Sequence, residues 1–291
     1  MTVSIIIVNY KTCSLVIDAI KSVRLKTLGV TYEIIVVDNN SEDSSERLLY
    51  EEFSNEVIYI ALTENIGFGR ANNKGIEIAI GRNIFLLNPD TLLTNDAVTI
   101  LSNYLDNNPN VGAVGANLYN EDHSFQPSFS RIYPSIQYEL SNLFHLLFFF
   151  DRDNINTSEN PKNVKTVVGA AMMISKNVLN KVGGFNPEFF MYEEENELCY
   201  RIKKSGYQIM NVPEAKVIHL DGKSFAFSEQ RTIRRLEGLR VLYRLTYSEF
   251  YCDTLKIVEY LTITSRLLLF KLIKNESKIK FWSFMYNNRK W

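Results

Sequence analysis

Val3-Ser4-Ile5-Ile6-Ile7-Val8-Asn9 and Glu33-Ile34-Ile35-Val36-Val37-Asp38 decide the fold. Both are short, nearly continuous apolar runs rich in β-branched residues, the composition of strands buried on both faces of a parallel sheet. Between them, Leu15, Val16, Ala19, Ile20 and Val23 recur at 3.6-residue spacing, which predicts an amphipathic helix over Ser14–Val23. Strand, helix and strand in that order form a right-handed crossover. Two more runs, Val57–Leu62 and Ile84–Leu87, continue the alternation. The expected class is therefore α/β, with a mostly parallel central sheet and helices on both faces.

Composition narrows the function. The 291 residues are 46% apolar and 22% charged, and 32 Lys+Arg nearly cancel 33 Asp+Glu. A disordered chain and a uniformly basic nucleic-acid binder are excluded, so no nucleic-acid partner is expected. Cys13, Cys199 and Cys252 are odd in number, widely spaced and free of any C-x-x-C pair, so neither a disulfide framework nor a zinc site is expected. The first residues lack a basic leader, and with reduced cysteines this points to the cytoplasm. The longest apolar stretches, Leu143–Phe150 and Leu267–Phe270, fall short of the roughly 20 residues that span a bilayer.

From about Glu121 to Asn163 the periodicity fades into a polar stretch of the kind that forms lids or binding segments. Gln126, Arg131 and the Leu143–Phe150 insert are expected on an acceptor side, or as a packed cap. Regular structure resumes at Thr166–Ser175, followed by a Gly183-Gly184 turn, a helix near Glu193–Ser205 and a strand at Val212–His219. After Ser224 the composition changes: residues 225–291 carry 13 Lys+Arg against 6 Asp+Glu, while residues 1–224 carry 19 against 27. A basic, aromatic-rich helical tail suits an anionic membrane surface, or else packs on its own protein or a second copy.

Ligands of open parallel sheets sit beyond the carboxyl ends of the strands. Strand one ends in Asn9-Tyr10-Lys11, without the glycines of a dinucleotide site. Strand two ends in Asp38, placed to accept hydrogen bonds from a ribose or base; Asn40-Ser41 reads equally as a turn and helix cap. Strand four ends in Asn88-Pro89-Asp90, either a turn or a carboxylate for a cation that holds a diphosphate. His219, at the end of the last strand, is a candidate second ligand, whereas His123 and His145 in the irregular stretch carry little weight. In the acidic block, helical phase places Glu195, Leu198, Cys199 and Ile202 on one face and Glu193, Glu197, Arg201 and Lys204 on a solvated one. Glu195 then points inward with Glu194 on the flank, as a general base or a buried, hydrogen-bonded acid.

In their order and spacing, these features resemble inverting glycosyltransferases of family 2 with a GT-A type fold, and within them the rhamnosyltransferase-like branch. The likeness runs from Ser4 to about Ser224 through Asn9-Tyr10, Asp38-Asn39-Asn40-Ser41, Glu64-Asn65-Ile66-Gly67-Phe68-Gly69-Arg70-Ala71-Asn72-Asn73-Lys74-Gly75, Asn88-Pro89-Asp90, Gly169-Ala170-Ala171, the Gly183–Arg201 block and His219. The resemblance implies a catalytic domain over 1–224, with a nucleotide-binding half at 1–118 and an acceptor half at 119–224, and a separate tail at 225–291. It implies that Asn9, Tyr10, Asp38, Gly67, Asn88 and Asp90 bind the donor. Asp90, with His219, would hold Mg²⁺ or Mn²⁺. Asn88 stands where the family's metal motif begins with an acid. Glu194-Glu195 falls on the family's catalytic acidic pair, with Glu195 as the base. The partners implied are a nucleotide-diphospho-sugar, dTDP-rhamnose by the branch, and a glycan or lipid-linked glycan acceptor. A nucleotide-binding oxidoreductase, or an inactive binding protein on the same fold, are the other readings.

Overall fold

The computed structural model describes residues 1–144, 154–220 and 228–288. His145, most of the Leu143–Phe150 insert and the residues directly after Leu220 lie outside this set. The chain divides into two compact units: Met1–Arg131 with Asp153–Ser224, and Ile132–Arg152 with Phe225–Trp291. The break near Ser224 falls where the composition changes. The described residues 132–144, expected within the acceptor half, belong to the helical unit.

In the first unit, β1 (Val3–Asn9), β2 (Tyr32–Asp38), β3 (Val57–Ala61) and β4 (Asn83–Leu87) pair in parallel in the order β3-β2-β1-β4. The sheet continues through β11 (Ala171–Ser175), β6 (Val111–Tyr119), β12 (Gln208–His219) and β5 (Thr91–Leu93). β11 runs antiparallel to both its neighbours, while β6 and β12 are parallel. The order in which strands are laid down reverses at β1, which has β2 on one side and β4 on the other, all three parallel. Such a switch point opens a crevice at the strands' carboxyl ends.

All seven residues of β1 are buried, because both faces are covered. Ile5 and Ile7 face one core with α1 (Cys13–Lys26), α2 (Ser45–Phe53) and α4 (Ala97–Asn107). Ile6 and Val8 face the other, with α3 (Phe68–Ile78), α6 (Lys176–Val182) and α7 (Glu194–Lys204). Each fully buried isoleucine is worth about 1.5–3 kcal/mol relative to exposure, so a slip of register along β1 is strongly disfavoured. Short edge pieces complete this unit: β7 (Phe125–Gln126) pairs with the end of β6, β8 (Phe129–Ser130) with β10 (Thr166–Val167), and β9 (Lys162–Asn163) with β12.

The second unit holds α5 (Ile136–Leu143), α8 (Glu229–Thr246), α9 (Glu249–Leu272) and α10 (Glu276–Asn287). Ser228, Ser248 and Asn275 cap the last three by accepting from the backbone N–H three residues on. Tyr247 stacks on Tyr251 with ring centres 4.3 Å apart. The Tyr243 hydroxyl reaches Glu139 of α5. No described helix is long and apolar enough to cross a membrane.

Candidate active site

At the crevice, Asn9 is fully buried and ties the ends of β1 and β2 together. Its Nδ2 lies 2.7 Å from Asp38 Oδ1 and 2.9 Å from Ser45 Oγ, and its Oδ1 accepts from the Thr12 N–H and hydroxyl. Asp38 also accepts from the backbone and hydroxyl of Ser41. The direct donor contact expected of Asn9 is not what this geometry offers, since its polar atoms are spent inside the protein. Tyr10, 45% exposed beside Lys11, is the side chain this strand end presents outward.

Gly67 brings a second part of the sequence to the crevice. Its φ of +89° suits glycine, and a Cβ there would stand 2.2 Å from the Phe190 carbonyl oxygen. The Phe68 N–H donates to that same oxygen. Further along α3, Asn73 brackets the backbone of Phe185, accepting from its N–H and donating to its carbonyl at 2.8 Å each. Arg70 Nε donates to the Pro187 carbonyl. The Gly67–Asn73 and Gly184–Phe190 blocks, more than 100 residues apart, thus form one clamp at the start of the acidic helix.

The other jaw is Arg201. Its guanidinium makes two 2.7 Å bonds to the Glu197 carboxylate and donates to the carbonyls of Val182 and Gly184. The expected solvated stripe is therefore corrected: the Glu197 side chain is only 5% exposed. The segment from Gly183 folds back over that face of α7 and makes the i,i+4 pair internal.

Tyr192 and Glu193 have consecutive left-handed backbones, φ 73° and 69°, an uncommon conformation for residues with side chains. They set the start of α7, whose first turn carries Glu194, Glu195 and Glu197 at the end where a helix favours negative charge. The inward acid is Glu194, not Glu195 as the phase predicted. Gly69 lacks a side chain where Glu194 packs, and Glu194 Cβ lies 3.6 Å from the position a Cβ would take there. Glu194 Oε2 is buried and has no hydrogen-bond partner. Burial first, then repulsion from Glu195, holds its carboxyl well above the usual range. Glu195 is half-buried, with its Cβ 3.8 Å from where a Cβ on Gly169 would stand. The next residue, Ala170, accepts the backbone N–H of Asn88, so the acid lies beside the turn after β4.

That turn meets the end of β12. Asp90 Oδ1 and His219 Nε2 are 3.5 Å apart, with Asp90 21% and His219 12% exposed. This is too long for a hydrogen bond, and His219 Nε2 and Asn88 Oδ1 are both buried without a partner. Adjacent ligands of an octahedral cation stand about 3 Å apart, so the two lone pairs fit a shared divalent ion. Among the described residues no group of three or more His, Cys, Asp or Glu gathers as a ligand set. Few protein ligands, with phosphate oxygens and waters completing the shell, is the arrangement Mg²⁺ commonly takes.

Neither the Asn73 nor the Arg201 clamp was anticipated; the one local signal was the Asn72-Asn73 pair inside a helix, since Asn is a poor helix former. Gln126, expected on the acceptor side, accepts at its Oε1 from His219 Nδ1 at 3.0 Å. Nothing in its local sequence marks that contact.

The open, mostly parallel sheet with acids at its strand ends has the GT-A type of fold, on its likeness to solved glycosyltransferases. The chain belongs to glycosyl transferase family 2, whose pattern matches residues 4–183. An overlapping match over residues 153–223 is to the N-terminal domain of galactosyltransferase. Among similar curated proteins are a low-salt glycan biosynthesis hexosyltransferase of Haloferax volcanii, 28% identical over 229 residues and 74% of this chain, and an N-acetylglucosaminyl-diphospho-decaprenol L-rhamnosyltransferase of Mycobacterium tuberculosis, 26% identical over 208 residues and 64% of this chain. Each alignment covers 66% of the relative's own length. A solved mannosyltransferase of Pyrobaculum calidifontis, in complex with GDP-Man and Mn²⁺, is similar with a TM-score of 0.62 at 14% identity, over 97% of this chain and 78% of its own. That likeness is one of fold.

Proposed function

We propose that the chain is an inverting glycosyltransferase that moves a sugar from a nucleotide-diphospho-sugar to a hydroxyl of a growing, lipid-linked surface polysaccharide. The observation that carries the site is the unpartnered Nε2 of His219 facing Asp90, next to the carboxylates that open α7. Tyr10, Asp38 and the Gly67 turn receive the nucleoside, and Asp90 with His219 holds the cation. A bound Mg²⁺ or Mn²⁺ supplies positive charge for the departing diphosphate. Glu195 takes the proton of the acceptor hydroxyl as its oxygen bonds to the anomeric carbon and the bond to the diphosphate oxygen breaks on the opposite face. Burial, then repulsion from Glu195, raises the Glu194 carboxyl above its usual range, which disfavours a second charge beside the base.

A similar dTDP-rhamnosyl transferase of Shigella flexneri supports dTDP-rhamnose as the donor, and the N-acetylglucosaminyl-diphospho-decaprenol L-rhamnosyltransferase supports a polyprenyl-diphosphate-linked sugar as the acceptor. A cavity of about 490 Å³ lined by Asn117, Tyr119, Phe125, Glu214 and Lys216 offers aromatic and polar groups for the acceptor glycan. The surplus of 7 positive charges after Ser224, with Phe250, Ile257, Leu261, Leu268 and Leu272 exposed along α9, supports peripheral binding to an anionic membrane on the cytoplasmic side.

The test is a panel of nucleotide sugars, dTDP-rhamnose included, incubated with a polyprenyl-diphosphate-linked acceptor and read by mass spectrometry. One donor is expected to give a product heavier by one sugar. Glu195→Gln should lower its rate by about 10²–10⁴, and Glu194→Gln far less. Full activity in Glu195→Gln would overturn the base assignment.

A further inference from the structure

Gln126 sits on β7, a two-residue strand held against the end of β6 by the turn between them. The turn carries a file of side-chain hydrogen bonds. Ser124 Oγ lies 2.6 Å from Asp122 Oδ1, Asn120 Nδ2 lies 2.8 Å from Ser124 Oγ, Gln126 Nε2 lies 2.9 Å from Asn120 Oδ1, and Gln126 Oε1 lies 3.0 Å from His219 Nδ1.

The direction of every bond follows from the first. An ionised carboxylate only accepts, and Ser124 holds Asp122 below the usual carboxylate range. The Ser124 hydroxyl therefore donates to Asp122, and its one proton is used. It can only accept from Asn120, which turns the Asn120 NH₂ toward Ser124 and its oxygen toward Gln126. Gln126 must then donate to that oxygen, and the Gln126 oxygen faces His219. Its second N–H agrees, donating to the His219 carbonyl at 3.2 Å. An amide oxygen only accepts, so His219 carries its proton on Nδ1, and in the neutral ring Nε2 is left with a lone pair.

We infer that Asp122, Ser124, Asn120 and Gln126 form a positioning relay that fixes His219 in its Nδ1–H tautomer, so that Nε2 is presented to a divalent cation shared with Asp90. This rests on the proposed metal site and assigns no contact with the cation to the relay itself. Partners of this kind behind a ligating histidine commonly change metal affinity 10–100-fold when removed.

The experiment measures Mn²⁺ alone binding to the full chain, by the loss of the free-ion electron paramagnetic resonance signal. Gln126→Leu is expected to weaken binding 10–100-fold, and His219→Ala at least as much. Gln126→Glu keeps an acceptor for Nδ1 and is expected to stay within a few-fold of the unmodified chain. If His219→Ala weakens binding while Gln126→Leu leaves it unchanged, the relay is refuted. If His219→Ala itself changes nothing, the metal reading fails instead. A second readout needs no variant to fold: the chain has three histidines, so long-range proton–nitrogen NMR of the metal-free protein separates their tautomers. A proton on Nε2 of neutral His219 would overturn the inference.

Discussion

Replacing Arg201 by Met removes one member of a pair whose other member cannot escape to water. Glu197, at 5% side-chain exposure, would be left without its cationic partner, while the carbonyls of Val182 and Gly184 lose their donors. Removing one partner of a buried ion pair costs about 3–5 kcal/mol. Arg201 is itself 25% exposed, so water reaches part of the gap and the lower end, about 3 kcal/mol, is expected. For a unit of this size that is a fall in Tm of roughly 6–12 °C. Urea unfolding followed by circular dichroism measures it. The double variant Arg201→Met, Glu197→Met should recover much of the loss, because no uncompensated charge remains. A loss below about 1 kcal/mol in the single variant, no better than an exposed pair, would refute the view that Arg201 pins the acidic segment.

Gly67→Ala places a methyl group 2.2 Å from a backbone oxygen at φ +89°. It should cost more than about 1 kcal/mol, read as a lowered Tm; an unchanged Tm would show that the α3 clamp yields freely. Glu194 has a raised pKa in the folded protein, so its protonated form contributes stability that is fully present below the unfolded value of about 4.3 and is lost as pH rises through the folded value. Glu194→Gln should therefore gain stability over the unmodified chain as pH rises from 4 to 8, and urea midpoints with a constant difference across that range would contradict it. Truncation after Ser224 should abolish salt-sensitive pelleting with anionic liposomes; equal pelleting of both chains would remove the membrane role of the tail.

The first sheet strands and the first helix were legible because their residues obey a single local rule. Five of the seven buried positions in β1 are β-branched apolar residues, the other two, Ser4 and Asn9, being hydrogen-bonded within the protein, and α1 has one apolar stripe. The acidic helix was legible as a helix but not in its environment. Its phase alone cannot show that Gly183–Phe190 returns across the Glu197–Arg201 face, nor that the bare Cα of Gly69 admits Glu194. Asn9 misled for a similar reason: a polar residue at a strand end on the ligand side can as well fasten β1 to β2, and only the positions of Ser41 and Ser45 decide. Asp90 and His219 lie 129 residues apart, and it is the antiparallel pairing of β5 with β12, Thr91 opposite His219, that joins them. Gln126 had no local signal, because its role depends on a hairpin register set by β6.

The most direct measurement is calorimetric binding of a nucleoside diphosphate panel to the full chain, with Mn²⁺ and with the cation chelated, beside Asp90→Asn. One nucleotide is expected to bind with Mn²⁺, to lose most of its affinity on chelation, and to bind Asp90→Asn weakly under both conditions. Equal affinity with and without the cation, undiminished in Asp90→Asn, would contradict a diphosphate held through a metal at Asp90 and His219.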